Sequence, residues 1–171
     1  ASYKRDYTGA DTDWFEVILD TYNDNENVTV YATSPTGSRT DATVSNDAIG
    51  DSALDLGWNN FWDVEVTRNE TGWFVEMRIP VSSLRFQKKE GQVIMGMTVL
   101  RIMGRHNEYA SFPPIPPNWP LSFMKASQAQ DIIFQDLNPK KLLRISPYVL
   151  AGFGQENLLS TTQNNYDLST E

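Results

Sequence analysis

Residues 62–86 read WDVEVTRNETGWFVEMRIPVSSLRF, and their alternation sets the architecture expected of the whole chain. On the first arm Trp62, Val64 and Val66 alternate with Asp63, Glu65 and Thr67; on the second, Trp73, Val75, Met77 and Ile79 alternate with Phe74, Glu76 and Arg78. A two-residue period gives one buried and one wetter face, as in a half-buried strand. Between the arms, Asn69-Glu70-Thr71-Gly72 supplies the Asn and Gly that a short hairpin loop favours. The stretch predicts a β-hairpin that leaves through Pro80 into a short helical turn.

Working outward, residues 13–20 (DWFEVILD) predict a strand, stopped by the polar run Tyr22-Asn23-Asp24-Asn25-Glu26-Asn27. Residues 28–33 (VTVYAT) return as a second strand, and Ser34-Pro35-Thr36-Gly37 turns into a third around 38–45. Residues 46–57 read as a loop. Residues 92–102 (QVIMGMTVLRI) are nearly apolar throughout, which predicts a central strand covered on both faces. Short strands separated by turn signals point to an all-β, antiparallel β-sandwich of jelly-roll or immunoglobulin-like type over residues 1–112. Residues 111–123, SFPPIPPNWPLSF, hold five prolines in thirteen positions, so 113–139 is expected to be an extended connector lying on the sandwich. In 140–153 (KKLLRISPYVLAGF), Leu143, Ile145, Val149, Ala151 and Phe153 share one parity and Arg144, Ser146 and Tyr148 the other. That pattern suits the first strand of an outer-membrane β-barrel occupying 140–171, and equally one last sandwich strand.

A length of 171 residues with 40% hydrophobic and 12% aromatic content suits one globular domain, or one domain with an appendage. The net charge of −8 is uneven: residues 1–80 hold 15 Asp/Glu against 5 Lys/Arg, leaving 7 against 9 in 81–171. An acidic half argues against nucleic acid as a partner, because phosphate binding needs a basic surface. There is no Cys, which excludes disulfides, thiolate metal sites and Cys nucleophiles. The opening ASYKRDYTGADTDWF lacks a start methionine and an apolar run after a basic start, so the chain is expected to be an excerpt of a longer precursor.

Several motifs carry a resemblance. Leu19-Asp20-Thr21-Tyr22-Asn23-Asp24 is followed by Pro35, Gly37 and Asp41, then by Trp58 and Trp62-Asp63. Gly72-Trp73, Glu76, Ile79-Pro80 and Ser82-Ser83-Leu84-Arg85-Phe86 come next, and Arg101, Arg105 and Asn107-Glu108 close the series. In this order, over roughly residues 5 to 115, the chain resembles the family 9 carbohydrate-binding-module-like domains at the N-terminus of certain large bacterial outer-membrane proteins. It departs from them in having Phe112 where a Trp is usual, and in lacking the strands expected before residue 5.

The resemblance implies a sandwich that binds an oligo- or polysaccharide, with structural calcium, in an outer-membrane protein whose C-terminal barrel would be its covalent partner. Sugar rings offer apolar C–H faces to flat aromatic side chains, and their hydroxyls need polar partners. The expected platform is Trp58 or Trp62 with Trp119, and Arg101, Asn107 and Glu108 as polar partners. Trp62, in register with Val64 and Val66, suits core packing as well as stacking, while Trp14 and Trp73 read as core. Arg101 and Glu108 could instead pair with each other. Calcium takes several oxygen ligands, and Asp20, Asp24, Asn25 and Asn27 lie close together on one turn. Their spacing is not an EF-hand loop and better fits an ordinary Asp/Asn-rich hairpin turn.

Catalysis finds no motif. His106 is the single His, no Ser sits in a nucleophile elbow, and no spacing singles out a carboxylate pair. The expectation is a non-catalytic carbohydrate-binding module of the cell envelope. The alternatives are a docking or structural sandwich beside a barrel, and an accessory domain of a membrane-associated hydrolase.

Overall fold

Alternating residues in a computed structural model, which describes residues 12–138, become nine antiparallel strands. They are β1 (Trp14–Asp20), β2 (Val28–Thr33), β3 (Arg39–Val44), β4 (Leu54–Asp55), β5 (Asp63–Asn69), β6 (Gly72–Arg78), β7 (Val93–Met103), β8 (Glu108–Phe112) and β9 (Gln130–Phe134). Among the described residues the remaining regular structure is four single 3₁₀ turns. The expected barrel strand after residue 140 lies outside the described residues.

The architecture is an antiparallel β-sandwich with unequal layers. One sheet runs β4-β3-β2-β1-β7-β8, with β9 also paired to β7; the other is the hairpin β5-β6. The strand β7 accepts β8 along residues 99–103 and β9 along 93–97, both on the edge opposite β1. The segment expected to be a proline-rich connector thus contributes a strand of its own, beyond the reach of its prolines.

Register assigns each side chain to a face. Ile18 lies opposite Val30 and Thr98, and Val30 opposite Ala42, so these share one face; Val17, Leu19, Tyr31 and Met97 share the other. On the first face Ile18, Val28, Val30, Ala42, Val44 and Leu100 are buried, and Leu54, Leu121, Phe123 and Met124 pack against them. On the second, Leu19 and Tyr31 bury Trp62, while Val64, Met77 and Ile79 of the hairpin layer close over them. The inward parity of the hairpin is therefore as the alternation predicts, with Val64 opposite Met77 and Val66 opposite Val75. Farther along β7, Val93 and Met95 form a smaller cluster with Phe86, joined by Phe134 of β9.

Candidate functional site

Between β2, β3 and the turn at Val81–Ser83 lies a cleft of about 450 Å³. Its aromatic members are Trp58 and Tyr22, and Thr29, Thr43, Asn59 and Arg85 are among its polar ones. Trp58 is half-buried and meets Tyr31 edge-to-face, with ring centroids 6.2 Å apart at 67°. Tyr22 is 41% exposed, and Arg85 is exposed as well. A cavity of this size with a few convergent polar groups is of the kind that holds small ligands.

The loop that carries Trp58 is held by a polar network that sequence reasoning missed. The Asn60 side-chain amide donates to Tyr31 Oη at 2.9 Å and to the Ser83 carbonyl at 2.9 Å, and the Asn60 backbone N–H donates to Asp41 Oδ2. Ser83 Oγ donates to the Phe61 carbonyl at 2.7 Å, and Arg39 Nη1 to the Trp62 carbonyl at 2.8 Å. Tyr31 and Asp41 are fully buried, so an unmet polar group there would be costly. Burial pushes the Tyr31 phenol above its ordinary range, and the bond from Asn60 works against it. One signal for this network was present in the sequence: Asp41 falls on the inward parity of a strand, where a carboxylate needs a partner. Tyr22 and Arg85 stand inside the LDTYND and SSLRF motifs, but nothing local marked them as neighbours.

The other expected binding residues do not assemble. Trp62 is 3% exposed, its ring edge-to-face with Tyr31 at 5.5 Å and 75°, and it presents no face to a ligand. Its inward register decides this, as it does for Val64. Trp119 is 51% exposed but stands elsewhere, near Ile49 and Lys125. There Asp47 accepts from Ser127 and Lys125, with the Lys125 Nζ–Oδ2 distance 3.3 Å. Partial burial raises the Asp47 pKa, but those bonds outweigh it and leave the carboxyl below its ordinary range. Arg101 and Glu108 are exposed on the second face, Arg101 opposite Ala110 and Glu108 opposite Met103, and among the described residues they form no ion pair with each other. Asn107 is a turn residue at φ 52° and borders a groove on the first face. Of the expected core tryptophans, Trp14 is buried and Trp73 half-buried.

The four residues expected to hold calcium share one turn, and their carboxylates already accept its backbone N–H groups. Asp20 Oδ1 and Oδ2 accept from Asp24 at 3.2 Å and Asn25 at 2.9 Å. Asp24 Oδ1 accepts from Glu26 and Asn27, and its Oδ2 from the Asn27 side chain at 3.0 Å. Burial dominates at Asp20 and raises its pKa; at Asp24 the bonds from Asn27 and Glu26 overcome desolvation and lower it. Among the described residues no group of three or more His, Asp or Glu is arranged to hold an ion. The donor set, as these bonds arrange it, is that of a self-capped turn.

Comparison of the chain with protein-family models, with curated proteins and with solved structures found no match.

Proposed function

We propose that this chain is a non-catalytic carbohydrate-binding module that holds an oligo- or polysaccharide in the cleft at Trp58. The observation that carries the reading is the pairing of two aromatics, Trp58 and Tyr22, with a polar lining that includes Arg85, Asn59, Thr29 and Thr43. A pyranose ring would lie its C–H face on an indole or phenol ring. Its vicinal hydroxyls would accept from the Arg85 guanidinium and exchange hydrogen bonds with the Asn59 amide and the threonine hydroxyls. The motif resemblance adds support, with Trp58, Tyr22 and Arg85 all inside the quoted motifs. On the same reading the module belongs to a cell-envelope protein and is joined to an outer-membrane barrel. The support for that setting is the alternation over residues 140–153.

The test is tryptophan fluorescence of the folded protein titrated with plant and algal oligosaccharides, with and without calcium. We expect a saturable shift with one class of glycan, weakened at least about tenfold by Trp58→Ala and retained by Trp119→Ala. The expected signal does not depend on calcium. Silence across the panel would overturn the reading in favour of a docking module.

A further inference from the structure

The first face of the large sheet carries a second concavity, a groove of about 410 Å³. Glu16 of β1 lies on its floor, opposite Ala32 of β2 and Leu100 of β7. Leu54, Ile102 and Met124 line the walls. Tyr109, 50% exposed, also lines it and stacks on Phe123 at 5.6 Å with the ring planes 18° apart.

Glu16 is at odds with these surroundings. It is 7% exposed, and its buried Oε2 accepts no hydrogen bond. Among the described residues lining the groove there is no Lys, Arg or His, and Tyr109 is the one other titratable group. The same-face neighbours of Glu16 on the three packed strands are Trp14, Ile18, Ala32, Val30, Leu100 and Thr98, all uncharged. A buried, unpaired carboxylate is expensive, and proteins pair or bond nearly all such groups. Burial alone holds this carboxyl protonated up to about 7.

We propose that the groove is a second binding site, for a small organic cation whose ammonium seats on the Glu16 carboxylate while its apolar body fills the space beside Tyr109 and Ile102. The argument is one of complementarity. An apolar ligand would leave the carboxyl unmet, and a polar anion would add a second charge of the same sign. A neutral alcohol would supply a hydrogen bond but no charge. An ammonium on an apolar body supplies both, and the Tyr109 ring can add a cation–π contact. This inference is independent of the sugar cleft, which lies on the other face of the sheet.

The probes are phenethylamine and its uncharged counterpart phenethyl alcohol, titrated calorimetrically into the whole chain. Wild-type protein is expected to bind the amine at least about tenfold more tightly than the alcohol. Glu16→Gln, which keeps the volume and removes the charge, is expected to abolish that preference. A second measurement needs no variant. At about pH 6, below the raised value near 7, binding of the amine should ionise Glu16 and release up to roughly one proton per ligand, read from heats in buffers of differing ionisation enthalpy. Equal affinities, a preference that survives in Glu16→Gln, binding without proton release, or no binding of either probe would each overturn the proposal. Should the Gln variant fail to fold, the wild-type preference and the proton count still decide.

Discussion

Glu16 links local chemistry to stability with a definite sign. Burial raises its pKa from 4.5 to about 7. Between those values the folded protein keeps a proton that the unfolded chain has already released, so this residue makes stability fall as pH rises through that window. Below 4.5 both states are protonated and the penalty vanishes; above 7 it is fully present and constant. Glu16→Gln should therefore flatten the slope and stabilise the protein at alkaline pH by up to about 3 kcal/mol, with little change under acid conditions. Urea midpoints of the two proteins on either side of the window check this. Gly96 makes a second residue-scale case. A Cβ there would lie 2.9 Å from the Ala129 Cβ and 3.1 Å from the Asp20 Cβ. Both obstacles are short side chains rooted in backbone, so neither can swing aside. Gly96→Ala should cost about 1–3 kcal/mol, measured by thermal or chemical unfolding.

Among the elements, those with clean alternation were legible. β1, β2, β3, the hairpin β5-β6 and β7 fall within a residue or two of where periodicity put them, because each turns one face to the core, fully buried in the large sheet and half-buried in the hairpin, and that face fixes its parity. The strands β8 and β9 were not. The first runs into the prolines after Phe112, and the second, QDIIF, is too short for a period to declare itself. The site was less legible than the fold. Trp58, Tyr22 and Arg85 meet only because the loop between β4 and β5 folds back onto the turn after β6, and that depends on bonds between residues 23 and 29 positions apart in the chain. The turn at Asp20–Asn27 shows the converse, since its acidic content reflects hydrogen bonds it makes to itself. The Asn60 network supplies an element-scale prediction. Asn60→Ala removes the donors to Tyr31 Oη and the Ser83 carbonyl, and should cost about 1–3 kcal/mol. The same change should weaken any ligand of the Trp58 cleft more than its small loss of contact area would, as a titration of the folded variant would show.

At the scale of the whole molecule, the two layers are joined through one cluster. Trp62 enters it from the start of the hairpin, and Tyr31 and Leu19 receive it from the large sheet. Trp62→Ala would leave a cavity where the layers meet and should cost about 3–5 kcal/mol. If the layers fold as one unit, a denaturant titration followed by fluorescence and by circular dichroism will give coincident transitions in the variant. The far edge of β7 has a different importance. Its two partners lie end to end, with Thr98 at the junction, and each is five residues long. A stranger's strand arriving at that side meets two short templates, and the chain leaves the first through Pro113 and Pro114, which have no amide hydrogen to offer. Among the described residues, the widest flank of this sheet is thus poorly shaped to seed a filament, and crowded copies of the molecule gain little by stacking edge to edge there.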